Sequence, residues 1–306
     1  MASKVLLVDA QNCLYRAAYR IGAELGRKQE PVYGPSTRAA FLSMVRAAAS
    51  RVLPRMVWVV WDGGRSKRRL SLHPTYKASK HPLAEQVRRD QWSDVAEISR
   101  LLLRLGCRVL VLPGREADDV LAFLARKFEA PVVLSDDQDY LQLVEGGVAV
   151  YRQSAEEYVS RLNFRERFGV EPESYLLYRA LVGDRSDNLE GVPGIGEKIA
   201  SSLVNDPTIT TPEQLAKRVQ TDGVKWAVKP RIRALVLENL DRIRINIEML
   251  DTAREILNVD EISKIHMAMT SDIVFDESVA SDLGRLGVSW MVDNFTIWSQ
   301  CFRRLV

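Results

Sequence analysis

Three histidines and three cysteines are all that this 306-residue chain offers as imidazole or thiolate ligands. Cys13, Cys107 and Cys301 share no pair spacing and leave an odd count, which argues for reduced thiols in a cytosolic setting and against a zinc site. His73, His81 and His266 are too few and too scattered to suggest an imidazole base. Long apolar runs are also missing. The run from Met56 to Trp61 falls far short of the roughly 20 residues needed to cross a bilayer. The first eight residues have no charged segment leading into a longer apolar one, so no signal peptide is expected. Neither an internal repeat nor a low-complexity tract is visible. These absences point away from membranes, secretion and fibrous assembly, towards a cytoplasmic globular protein.

What the chain does contain is apolar residues at 46% and charged residues at 27%, enough for a large core and a smaller second module. The net charge is only +3, from 43 lysines and arginines against 40 acids. Nine of those acids fall in short clusters: Asp9, Asp62, Glu116, Asp118, Asp119, Asp137, Asp139, Asp184 and Asp187. If these nine converge on cations, the remaining 31 acids face 43 basic residues, a balance of +12 that suits a polyanionic partner.

Hydrophobic periodicity places strands at 5–8, 56–61, 108–112, 132–134 and 147–151, and helices at 36–53, 87–105 and 117–128. In the second of these helices Val95, Ile98, Leu101, Leu102 and Leu105 recur at helical spacing before Gly106. Residues 62–80 are basic and irregular. Alternating strands and helices predict an α/β fold, a mostly parallel central sheet flanked by helices. After residue 160 the pattern turns helical, at 163–168, 172–182, 197–204, 212–219 and 229–250. The expected division is therefore an α/β body over 1–160 and a helical part over 161–306, whose last fifty residues are poorly patterned.

Each acidic cluster has an ordinary explanation when taken alone. Acids in the first turn of a helix, such as Glu116, Asp118 and Asp119, complement its dipole. Asp137 and Asp139, like Asp184 and Asp187, fit solvated turns. Their co-occurrence is the stronger signal, because Asp9, Asp62 and Asp137 follow strands that should lie side by side, where open α/β sheets bind ligands. Hydrolysing a phosphodiester calls for neutralising developing charge and lowering the pKa of a water, which two Mg²⁺ or Mn²⁺ ions about 3.5–4 Å apart can do. Such hard ions take carboxylate and water oxygens, with no call for cysteine or histidine.

The motifs Arg115-Glu116-Ala117-Asp118-Asp119-Val120-Leu121, Leu134-Ser135-Asp136-Asp137-Gln138-Asp139 and Tyr178-Arg179-Ala180-Leu181-Val182-Gly183-Asp184, continuing through Ser186-Asp187-Asn188 to Gly196-Glu197-Lys198, resemble successive signatures of the 5′ nuclease superfamily. That group includes the 5′→3′ exonuclease domain of bacterial DNA polymerase I, phage 5′ exonucleases and flap endonucleases. The resemblance runs in order from about residue 5 to about residue 251. It implies a PIN-like nuclease body with a gateway segment at about 62–105. A helix–turn–helix DNA-binding module would follow at about 183–250. It also implies a structure-specific 5′→3′ exonuclease or flap endonuclease, acting in DNA replication or repair by two-metal-ion catalysis.

By the same resemblance, Asp9, Asp62, Glu116 and Asp118 form a first group of metal ligands, with Asp119 shared or close by. Asp137, Asp139, Asp184 and Asp187 form a second. Lys77 of the Tyr76-Lys77 pair would reach the scissile phosphate, with Tyr76 and Lys80 also meeting the DNA. Gly191, Val192, Gly194, Ile195, Gly196 and Lys198 would meet duplex backbone without reading sequence, with K⁺ on carbonyls of that loop. The partners implied are DNA with 5′ ends, flaps or nicks, or an RNA–DNA hybrid, handled by a monomer. With no polymerase segment in 306 residues, the resemblance suggests a stand-alone enzyme, bacterial or phage-encoded in a bacterial host. The chain departs from the family at Ala10, where Gly is usual, and at Lys80, where Arg is frequent. Competing readings are a PIN-type ribonuclease, a nuclease that removes RNA primers, or a non-catalytic protein that binds branched DNA.

Overall fold

A computed structural model describes residues 4–27, 30–78, 84–221, 229–254, 257–286 and 289–306, with 84–90 and 289–290 described by backbone alone. The chain begins with β1 (Lys4–Asp9), α1 (Ala10–Glu24), α2 (Pro35–Val52), β2 (Met56–Trp61), α3 (Lys67–Leu72) and α4 (Ala84–Arg104). It continues through β3 (Arg108–Val111), α5 (Ala117–Ala125), β4 (Ala130–Leu134), a 3₁₀ segment (Gln138–Gly146), β5 (Ala149–Arg152) and β6 (Glu157–Val159). These six strands form one sheet in the order β3-β2-β1-β4-β5-β6. All pairs are parallel except β5 with β6.

Period-2 alternation divides the strand residues between two apolar layers, as a parallel sheet covered on both faces requires. Val5, Leu7, Trp58, Val60 and Val133 face α5 and the helices that follow the sheet. Leu6, Val8, Val57, Val59, Trp61 and Leu134 face α1, α2 and α4. The helical spacing read at Val95, Ile98, Leu101 and Leu102 is the buried stripe of α4, and Leu105, just past its end, is buried with them. The strands at 56–61 and 132–134 lie where the periodicity placed them, and 5–8 forms most of β1.

The second part comprises α6 (Phe164–Phe168), α7 (Tyr175–Val182), a two-residue ribbon β7 (Gly183–Asp184) with β8 (Leu189–Glu190), α8 (Glu197–Leu203), α9 (Pro212–Thr221), α10 (Pro230–Glu238), α11 (Leu240–Leu250) and α12 (Val259–Thr270). The single helix expected over 229–250 breaks at Asn239, whose φ of −112° is non-helical and whose side-chain amide donates to Leu235 O at 2.8 Å. Helix α1 was not anticipated, although Cys13, Leu14, Ala17, Ala18 and Ile21 carry its buried stripe.

The remaining helices, α13 (Val279–Arg285), α14 (Ser289–Asp293), α15 (Phe295–Trp298) and α16 (Gln300–Arg303), do not stay with the helical part. Val279, Leu283, Met291, Phe295, Trp298 and Phe302 pack into the same apolar cluster as Leu6, Val8, Phe41 and Trp61. Arg46 Nε donates to Trp298 O at 3.0 Å, and Asp276 N donates to Arg104 O at 2.8 Å. The poorly patterned end of the chain thus closes the face of the body that α2 and α4 leave open.

Candidate active site

The parallel order brings the carboxyl ends of β2, β1 and β4 side by side. Asp62, Asp9 and the loop carrying Asp137 therefore meet at one edge, with the start of α5 above them. Asp9 caps α1, accepting from Asn12 N at 3.1 Å, and its other oxygen accepts from Ser135 Oγ at 2.9 Å. Asp62 accepts from Ala117 N at 2.7 Å, joining the end of β2 to the first turn of α5. Gly63 allows that approach, because a Cβ there would lie 1.9 Å from Leu112 O.

Glu116 is buried and receives four donors. Its Oε1 accepts from Ser66 N at 3.1 Å. Its Oε2 accepts from Arg69 Nη1 at 2.8 Å, Tyr76 Oη at 2.8 Å and Lys77 Nζ at 3.2 Å. Arg69, also buried, reaches past it to both oxygens of Asp119, at 2.8 and 2.6 Å. That bidentate pair holds both carboxylate oxygens of Asp119. Arg69 Nε donates to Met249 O at 2.8 Å, which ties α3 to the end of α11.

Lys77 sits in the left-handed region at φ 47°, with its ammonium 5.2 Å from the centre of the Tyr76 ring. Its backbone N–H points to Asp187 O at 3.5 Å. Asn188, also left-handed at φ 59°, donates to Thr75 O at 2.9 Å. The turn at Thr75–Lys77 is thereby fastened to the loop of the second acidic cluster. Lys77 keeps about a third of its side chain exposed, whereas Tyr76 is buried with its hydroxyl committed to Glu116. Lys80 lies outside the described residues.

In the second cluster, Asp139, Asp184 and Asp187 each offer an oxygen, and the three atoms lie within 4.8 Å of one another. Asp137 caps the 3₁₀ segment, accepting from Asp139 N at 2.9 Å. Arg179 bridges Asp139 and Asp184 at 2.9 and 2.5 Å. The two clusters share one electrostatic environment, since the charge of Asp118 acts on Asp9, Asp62, Asp137 and Asp187.

Crowding of like charge out of water raises several of these carboxyl pKa values. Burial, reinforced by Asp62, pushes Asp9 up to about 8. Burial and then Asp118 raise Asp62 to about 6. Burial lifts Asp187 to about 7 against the pull of the Lys77 ammonium, with Asp184 adding to the rise. Asp118 behaves in the opposite way: burial acts to raise it, but Lys77 and Arg69 outweigh burial and hold it low. These raised values carry a sign for stability. The folded state holds protons that the unfolded chain gives up near the ordinary value of 3.8, so this contribution is full below that pH and is lost as pH rises through about 6, 7 and 8. In EDTA the melting temperature is expected to fall between pH 5 and 9, at roughly 2 °C for each kcal/mol in a chain of this size. Mg²⁺ should flatten the fall by pairing the ionised carboxylates. A melting temperature that is level with pH in EDTA would contradict this account.

The loop at 191–198 is shaped by close backbone approach. A Cβ on Gly191 would lie 2.2 Å from Val182 O, and Gly194 has φ +84°. Val192 and Ile195 are buried and anchor the loop in the core, while Gly194, Gly196 and Lys198 are exposed. A groove of about 840 Å³ runs from Arg179 and Asp184 to Gly194 and Gly196.

Arg69, Arg179, Ser66 and Ser135 belong to the site but were not singled out from sequence. Arg69 was hidden in a basic run that reads as solvated surface. Arg179 carried a signal, as a cation on a helix whose neighbours Tyr175, Leu177, Ala180 and Leu181 are buried.

An open, mostly parallel sheet with carboxylates along its carboxyl edge and a helical module behind them defines a resolvase-like nuclease class. The chain belongs to the 5′-3′ exonuclease family: residues 4–169 match its N-terminal resolvase-like domain and residues 170–271 its C-terminal SAM fold. The thermostable DNA polymerase I of Thermus thermophilus is 34% identical over 257 residues, covering 80% of this chain and 29% of that polymerase. This chain thus spans under a third of the polymerase's length. A 5′-3′ exonuclease of Aquifex aeolicus is 32% identical over 205 residues, 65% of this chain and 68% of the relative. In fold, the chain is similar to a T5 flap endonuclease solved as a pseudo-enzyme–product complex with DNA and metal ions. That match has a TM-score of 0.63 at 17% identity and covers 92% of this chain and 98% of that one. No described helix is long and apolar enough to cross a membrane.

Proposed function

We propose that this protein is a divalent-metal-dependent 5′ nuclease that hydrolyses DNA phosphodiesters near 5′ ends, as a 5′→3′ exonuclease or flap endonuclease. The observation that carries this reading is the meeting of two carboxylate groups at one sheet edge beside the Lys77 ammonium. Family membership and the DNA complex of a protein of similar fold support it.

The donor set fits hard cations. It is all oxygen, and the raised pKa values of Asp9 and Asp187 are what a bound cation would relieve. Asp9, Asp62, Glu116 and Asp118 would hold a first Mg²⁺ or Mn²⁺, and Asp137, Asp139, Asp184 and Asp187 a second. Asp119 takes a different part, because the Arg69 guanidinium holds both of its oxygens, whereas Oε1 of Glu116 meets only the neutral Ser66 N–H. When bound, the ions supply charge neutralisation and an activated water.

The other roles belong to the chain itself. Lys77 presents its ammonium to the scissile phosphate. Tyr76 and Arg69 position Glu116, and Asp119 holds Arg69 in place. Gly194, Gly196 and Lys198 offer an exposed face to duplex backbone, where contacts position without reading sequence. Val192 and Ile195 support that face from the core.

The test is a Mg²⁺ titration on a nicked duplex bearing a 5′ flap. Cleavage is expected with Mg²⁺ or Mn²⁺, and binding without turnover with Ca²⁺. Full activity in EDTA would remove the metal requirement. Tight binding with no cleavage under any divalent ion would instead identify a non-catalytic binder of branched DNA.

A further inference from the structure

Arg179 is an unusual occupant of a carboxylate cluster. It projects from α7, whose residues Tyr175, Leu177, Ala180 and Leu181 are buried, and is itself only 8% exposed. One nitrogen, Nη2, lies 2.9 Å from Asp139 Oδ1 and 2.5 Å from Asp184 Oδ2. The other, Nη1, donates to Gln138 Oε1 at 2.8 Å. The cation thus bridges two of the three acids whose oxygens lie within 4.8 Å of one another. The first carboxylate group keeps its cations on one member, Glu116, which pairs with Arg69 and Lys77. Asp9 and Asp62 are capped by neutral donors, Asn12 N, Ser135 Oγ and Ala117 N.

A guanidinium is always charged and matches carboxylate geometry, so it satisfies the same electrostatic need as a bound ion. We infer that Arg179 is the built-in counter-cation of the Asp139–Asp184–Asp187 group and sets that group's affinity for a divalent ion. An ion entering there meets oxygens already bonded to a cation, and the arginine head must turn aside into the 840 Å³ groove that it lines with Gln138, Gly194 and Gly196. In the first group the cations sit on Glu116, and Asp9 and Asp62 carry no such competitor. The two groups therefore load in sequence as divalent ion rises, the second only at higher concentration. This inference rests on the reading of the second group as an ion site.

Mn²⁺ binding to the full chain, followed by calorimetry without DNA, tests both. The wild type should show a tighter and a weaker class of site, and Asp184→Asn should lose the weaker one. If Asp184→Asn keeps both classes, the second group is not an ion site, and the inference falls with that reading. If the weaker class is lost, Arg179→Gln decides the inference. Removing one like charge from contact range should tighten the weaker class about tenfold. Arg179→Lys, which keeps the charge, should restore wild-type affinity to within about threefold. Gln138→Ala alters an exposed side chain and frees Arg179 from one anchor, so it tests the same idea if Arg179→Gln does not fold. It should tighten the weaker class by about two- to threefold. Unchanged or weaker Mn²⁺ binding in Arg179→Gln, or in Gln138→Ala where that variant stands in for it, would overturn the assignment.

Discussion

Asp118→Asn is expected to lower the single-turnover cleavage rate of a 5′-flap duplex by at least about 10²-fold, the scale of losing one group that stabilises transition-state charge. Asp118 stands where the two clusters meet. Its charge acts on Asp9, Asp62, Asp137 and Asp187 and on the cations Lys77 and Arg69. An amide keeps the shape and gives up the charge, so folding should survive while the first ion's binding weakens. Asp187→Asn should be milder, because it touches only the second group. Saturating enzyme, Mg²⁺ and rapid quench give the two rates directly. Wild-type rates in both variants would overturn the assignment of these acids.

Lys77→Ala separates positioning from chemistry. A protonated ammonium has no lone pair to offer a metal, so Lys77 can act only as a charge and a donor. Asp118, Tyr76, Glu116 and Asp187 hold its pKa well up against the effect of burial, so it stays charged across the working pH range. Truncation should cost roughly 10²–10³ in single-turnover rate, as with other donors aimed at developing negative charge. Binding in Ca²⁺ should fall much less, because many other cations share the backbone contacts. An ordinary surface lysine would leave the rate within about twofold. A rate loss fully explained by weaker binding would remove the gateway role.

Much of this constellation could be read in the sequence because acids at strand ends leave local marks. Strands at 5–8 and 56–61 end in acids, and a parallel sheet must gather such ends at one edge. The acids of α5 and of the loop after β4 follow from the same alternation. Arg69 could not be read in this way. Its neighbours in sequence are Lys67 and Arg68, which reads as solvated surface, and its burial is decided by Glu116, Asp119 and Met249, far along the chain. Tyr76 was expected at the DNA surface, yet its hydroxyl reaches Glu116 and its ring lies inside. Helix α1 was lost because Asp9 ends β1 and caps α1 at once, leaving no loop to mark the change. The last fifty residues resisted for a related reason. From α13 onward the short helices bury against α2 and α4, so their apolar spacing answers to a remote surface and shows no period of its own.

That return of the chain has a bearing on how the protein is made. Trp298 and Phe302 fill the same layer as Leu6 and Val8, residues separated by nearly the whole sequence. A ribosome delivers β1 long before these aromatics, so the part of that layer that α1, α2 and α4 leave open stays uncovered until they follow. That layer is complete only after residue 302 has emerged. Until then the nascent chain carries an exposed apolar face, the state in which chaperones hold their clients. Synthesis itself thus times the closing of the core, because the apolar layer on one side of the sheet waits for residues that leave the ribosome long after the strands they cover.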